Sequence, residues 1–93
     1  MFNQQLRLLY IEQQVHTEGF ISRNTLVEDL KISKPQATID LRKYREAAPD
    51  NLNYDVSSKR YTKSKLFKPV ILNQIESHHI LAIFRLKNYL FKN

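Results

Sequence analysis

The stretch from Ser22 to Tyr44 constrains this chain more than any other, because it holds two helix starts and a corner in one short span. Leu26, Val27 and Leu30 lie three and four apart, which places them on one helical face. Ser33 stands three residues before Gln36, the spacing of a capping box. In that arrangement the serine oxygen accepts from an orphan amide and the glutamine side chain reaches back. Pro35 falls in the first turn, where a missing amide costs nothing. The pattern predicts a second helix from about Lys34, with Ala37, Leu41, Tyr44 and Ala48 as its apolar stripe and Ile32 plugging the corner. Two helices joined by so short a turn make a helix-turn-helix, whose second helix commonly enters a DNA major groove.

Apolar corners of this kind also occur as plain packing, so the outer face decides between the two readings. It carries Lys34, Gln36, Thr38, Arg42, Lys43 and Arg45, side chains suited to phosphates and base edges. The charge points the same way. Lys31 to Lys68 contains ten bases and four acids, whereas the flanks contain five of each, so the whole formal charge of +6 lies in this segment. A polyanionic partner explains that localisation better than a general need for solubility does.

Upstream, Phe2, Leu6, Leu9, Ile11 and Val15 suit an amphipathic first helix, with Gly19, the single glycine, as its left-handed stop. Phe20 and Ile21 read as a brief strand that could pair with a later hairpin. Downstream, the second helix of the corner should end before Pro49. Leu52, Tyr54 and Val56 alternate with Asn53 and Asp55 as in a half-buried strand. Ser57-Ser58-Lys59 would turn the chain, and Arg60-Tyr61-Thr62 would return antiparallel, placing Lys59 and Arg60 at the tip. A hairpin directly after a recognition helix is the wing of a winged helix-turn-helix.

Lys63 to Pro69 reads as a basic linker, and a further helix is expected from about Leu72 to Phe91. Its apolar residues cover more than one core-facing stripe, which suggests packing against another chain or a further domain. The expected fold is mainly α with a small β-hairpin. Residues 1–70 would form the winged helix-turn-helix, and 71–93 a C-terminal helix for dimerisation or interdomain contact.

Other chemistry is poorly represented. The chain has no cysteine, hence no disulfide or thiolate site. His78 and His79 are adjacent and would diverge by about 100 degrees on a helix, so they cannot chelate one ion. There is no glycine-rich phosphate loop and no His-Glu-x-x-His pattern, and Ser57 and Ser58 have no histidine near them in sequence. No catalytic residue, cofactor, metal or small-molecule ligand is expected. No apolar run approaches the roughly 18 residues needed to span a bilayer. A cytoplasmic protein is expected, whether nucleoid-associated or encoded on a phage or mobile element.

The run Gly19-Phe20-Ile21-Ser22-Arg23, then Leu26, then Ile32-Ser33 with Gln36-Ala37-Thr38, Asp40-Leu41 and Tyr44, resembles the N-terminal winged helix-turn-helix of WYL-domain transcriptional regulators. So does the continuation through Ala48-Pro49, Asn51-Leu52 and Tyr54-Asp55 to Tyr61, Phe67 and Pro69. Within that family the likeness is to regulators of phage-defence islands such as BREX and CBASS. The shorter core is similar to the DeoR-type helix-turn-helix. The resemblance covers about residues 4 to 70. It implies autoregulatory repression at inverted repeats. Members of the family continue into WYL and C-terminal extension domains, whereas this sequence ends at Asn93, as a short regulator or a piece of one. Ligand sensing is therefore not carried over.

The expected function is double-stranded DNA binding by a homodimer that represses transcription. Lys34, Thr38, Ile39 and Arg42 would face base edges. Ser33, Gln36, Lys43, Lys59 and Arg60 would mostly position phosphates, and Arg23 joins the DNA-contacting set. The alternative is a winged-helix module whose C-terminal helix binds a protein and which has no direct role on DNA.

Overall fold

Local caps set nearly every boundary in this fold. The computed structural model describes residues 2–74. Helix α1 (Gln4–Glu18) starts where Asn3 accepts from the Leu6 amide at 2.9 Å, and stops at Gly19, whose φ of 87° carries the chain into the left-handed region. After strand β1 (Phe20–Ile21), the Ser22 hydroxyl accepts from Thr25 N and opens α2 (Arg23–Leu30). Lys31 ends α2 at φ 56°. Ser33 then accepts from Gln36 N at 3.2 Å to open α3 (Lys34–Ala47). Strands β2 (Leu52–Asp55) and β3 (Arg60–Lys63) form the hairpin, and a short helix α4 (Ile71–Gln74) follows. The three strands lie in the order β1-β3-β2, all antiparallel, so Phe20-Ile21 does pair with the wing. The architecture is a winged helix-turn-helix: mostly helical, with α3 as the second helix of the corner and β2–β3 as the wing.

The core draws on every helix and on β1. Leu9, Ile11 and Val15 from α1 meet Ile21, Leu26 and Leu30, with Ala37, Leu41 and Tyr44 from α3, and Ile71 closes the end. Each such side chain contributes roughly 1.5–3 kcal/mol when fully buried, so this cluster dominates the stability of the fold. Polar pins then set the angles between helices. Arg7 donates from Nε to Asp40 Oδ2 at 2.6 Å, and Asp40 has no exposed surface. Tyr10 on α1 donates to the Asp29 carboxylate on α2. Burial and that neighbouring carboxylate push the Tyr10 hydroxyl well above the ordinary tyrosine range.

Several sequence expectations change. The capping box is only half made, because Gln36 Nε2 turns inward and donates to Asp40 Oδ1 at 3.0 Å. A buried carboxylate needs every donor within reach, and it takes the one that would have reached back to Ser33. Val56 lies past the end of β2 and is 76% exposed, and Tyr54 is 51% exposed, so the alternation does not mark a buried face. The hairpin turns through Val56–Lys59, one residue earlier than expected. Asp55 supplies what a glycine usually would, accepting from Ser57 N and Ser58 Oγ. Lys59 takes the left-handed position at φ 56°. Arg60 thus leaves the tip and becomes the first residue of β3, opposite Asp55.

The expected linker from Lys63 to Pro69 is anchored rather than loose. Lys63 belongs to β3, Phe67 packs against the core, and Asn51 brackets Lys68, accepting from its amide and donating to its carbonyl. The helix expected from Leu72 to Phe91 lies outside the described residues, apart from its first turn.

Candidate nucleic-acid interface

Helix α3 buries Ala37, Asp40, Leu41 and Tyr44, and this stripe decides what the other faces present. Lys34, Thr38, Arg42 and Arg45 recur at intervals of four, four and three, so they form one line along the exposed helix. All four are exposed. Gln36 and Lys43, seven apart, lie on the opposite flank, the side that meets α1 through the Gln36–Asp40–Arg7 contacts. Ile39 is half-buried between the two. Ser33 is engaged as the α3 cap, and only its exposed rim is open to a ligand.

The line of cations runs beside the wing. Arg45 places its guanidinium 5.5 Å from the centre of the Tyr61 ring, and Tyr61 packs on Tyr54 with ring centres 4.8 Å apart. Arg23, at the start of α2, donates from Nη1 to Thr38 Oγ1 at 3.4 Å. Between these elements lies a groove of about 260 Å³, lined among others by Ser22, Arg23, Thr38, Tyr54, Lys59 and Tyr61. Among the described residues no carboxylate lines it. The structure thus brings Arg23, Thr38 and Lys59 to one concavity, with Lys34 and Arg42 continuing along α3.

Arg60 is placed elsewhere. Strand side chains alternate between faces, so Tyr54 and Tyr61 share one face while Arg60 and Phe20 share the other. The Arg60 guanidinium lies 4.0 Å from the centre of the Phe20 ring, and its Nε is buried without a hydrogen-bond partner. That is a cation–π contact within the sheet.

Two aromatic residues of the groove, Tyr54 and Tyr61, are absent from the sequence-derived set. Their spacing in the two strands was visible, but only the register puts them opposite each other. Asp55 organises the tip that holds Lys59. Its carboxyl is held below the ordinary aspartate range, chiefly by the Ser58 hydroxyl, with the backbone amides of Ser57 and Ser58 and the charge of Arg60 adding to the effect. Among the described residues no group of histidine and carboxylate side chains could hold a metal ion, and no helix is long and apolar enough to cross a membrane.

Residues 3–85 match the family described as the BrxR transcriptional regulator winged helix-turn-helix domain. The chain is 44% identical over 71 residues to the DNA-binding transcriptional repressor CapW of Escherichia coli (strain KTE188), an alignment covering 76% of this chain and 24% of that protein. It is 33% identical over 85 residues to the CapW repressor of Stenotrophomonas maltophilia, covering 91% of this chain and 28% of the relative. The CapW repressor of Pseudomonas aeruginosa is 30% identical over 84 residues, with 90% and 28% covered. The chain therefore spans about a quarter of the length of these curated relatives.

Proposed function

Because the chain belongs to the family of BrxR transcriptional regulator winged helix-turn-helix domains, we propose that it binds double-stranded DNA and represses transcription. The observation that carries this reading is the line of Lys34, Thr38, Arg42 and Arg45 on the exposed flank of α3, running beside the wing. Such a helix laid in a major groove offers Lys34, Thr38 and Arg42 to base edges. Ile39, half-buried beside them, can offer apolar contact to a thymine methyl. Ser33 borders that surface and Lys43, on the far flank, meets a phosphate of the neighbouring strand, whereas the Gln36 amide nitrogen is held by Asp40. On the wing, Lys59 reaches the backbone, while Arg60 holds the wing to β1 through Phe20. The CapW relatives are named as DNA-binding transcriptional repressors, which supports the same assignment here.

The repressor acts as a homodimer on inverted repeats, with half-sites about one helical turn apart. Residues 71–93 supply the dimer contact in this reading. Their apolar sequence exceeds what a single core-facing stripe needs. The work is done in the bacterial cytoplasm, on a phage-defence locus, with no cofactor and no catalytic step.

The test is selection from a pool of random duplexes, followed by sequencing. Enrichment of a two-fold symmetric site is expected, and Arg42→Ala should relax one base position in each half, costing roughly 1–3 kcal/mol of discrimination. A pool that stays random after repeated rounds contradicts sequence-specific repression.

A further inference from the structure

Two cations from separate parts of the fold converge on the groove between the wing and the helix-turn-helix. Arg23 comes from α2 and Lys59 from the hairpin tip. Both are exposed, and among the described residues no carboxylate lines the groove to neutralise them. Arg23 spends one donor on a long bond to Thr38, which aims its guanidinium along the groove wall and leaves the rest of the fork open. Tyr54 is half-exposed beside them, braced by the Tyr61 ring. Its position is fixed by packing, and its hydroxyl can donate. The backbone of Lys59 is set as well, since the Asp55 bonds to Ser57 and Ser58 shape the turn that ends in its left-handed conformation.

Resting on the reading above, we propose that this groove seats one backbone phosphodiester of the bound duplex, held between Arg23 and Lys59 with the Tyr54 hydroxyl as a third donor. The chemistry fits such a group. A guanidinium fork and an ammonium share a single delocalised negative charge, a neutral phenol adds a hydrogen bond, and an aromatic face lies against the sugar. The site exists only when wing and helix-turn-helix are correctly placed together, so it sets the register of the wing on the duplex. It reads no base. Tyr54 is a positioning residue that the charge pattern alone would not reveal, and Arg60 lies outside the site because its guanidinium faces the other side of the sheet.

The experiment uses the full chain and the selected duplex, with a single neutral methylphosphonate placed at each backbone position in turn. One position per half-site should weaken wild-type binding about tenfold or more. In Arg23→Gln and in Lys59→Gln that same substitution should cost less, because one of the two cations is gone, and in the double variant it should have little further effect. Arg23→Gln combined with Lys59→Gln should flatten the log–log salt slope by about 0.9, the share of one phosphate, and each single variant by less. Tyr54→Phe should weaken binding with the slope unchanged, and Arg60→Gln should keep the wild-type interference pattern. All three groove positions are exposed, so the variants retain the core. The proposal is overturned if Arg23→Gln combined with Lys59→Gln keeps the wild-type slope and interference pattern while Arg42→Ala loses affinity. The helix would then bind DNA without the groove. Wild-type protein with no salt-dependent duplex binding would sink the DNA reading itself. Inorganic phosphate at matched ionic strength should leave the amide resonances of Arg23 and Tyr54 unmoved. Saturable binding there would make the groove a small-anion site instead.

Discussion

At Glu12 a carboxylate with no exposed surface accepts from four donors. Oε1 takes the Tyr44 hydroxyl at 3.0 Å, Val70 N at 2.7 Å and Ile71 N at 3.0 Å, and Oε2 takes Leu72 N at 2.9 Å. One side chain of α1 thus caps the start of α4 and holds the C-terminal half of the recognition helix. Asn51 extends the junction by donating to the Tyr44 hydroxyl and bracketing Lys68. Glu12→Gln keeps the shape but turns one acceptor into a donor facing an amide. The cost should be roughly 1–3 kcal/mol, read as a lower urea midpoint at constant m-value. Tyr44 gives a pH signature. Burial above all, with the Glu12 charge, pushes its hydroxyl far above the ordinary range, against a smaller opposing effect of Asn51. Tyr10 shifts the same way. A raised folded pKa means that stability is intact below the unfolded tyrosine value of about 10 and falls as pH rises beyond it. Alkaline titration by circular dichroism should show that fall, and it should be shallower in Tyr44→Phe.

At the scale of elements, the turn of the helix-turn-helix offers a direct test. Lys31 occupies a left-handed conformation at the end of α2, where glycine carries no side-chain penalty. Lys31→Gly should therefore stabilise the protein by about 0.5–1 kcal/mol, measured by thermal melting. Loss of stability would mean that the lysine side chain makes a compensating contact. This corner was legible in the sequence because its causes are local. Ser22, Ser33, Pro35 and Gly19 act within one turn of where they stand. What the sequence hid was tertiary competition. Gln36 had a local partner at Ser33, yet the buried Asp40 claimed it. Glu12 counted as a flank acid in the charge balance, although its place between Leu8, Ile11 and Val15 already put it on the inward face of α1. Alternation in β2 identifies a half-buried strand but not which side is covered, so it does not show that Tyr54 stands in the groove wall. Arg60 was expected at the basic tip, but alternation along β3 puts it on the face of the sheet opposite Tyr61 and the groove.

In the molecule as a whole, one packed core supports one basic surface. Arg7–Asp40 and Glu12–Tyr44 fix α3 against α1 on its inner side, which leaves Lys34, Thr38, Arg42 and Arg45 aligned on the outer side. The wing stands beside them because β3 is tied to β1, and the segment after it is pinned to the core through Asn51. The formal charge of +6 is gathered between Lys31 and Lys68, which suits the proposed duplex better than a neutral protein surface. The most direct measurement is the affinity of the full chain for a labelled duplex across a series of salt concentrations. Each phosphate neutralised should contribute about −0.9 to the log–log slope, so several contacts from α3 and the groove predict a steep line. Arg42→Ala combined with Lys59→Ala should flatten it by more than the share of one contact. An affinity that does not change with salt, or a slope that the double variant leaves intact, contradicts the account.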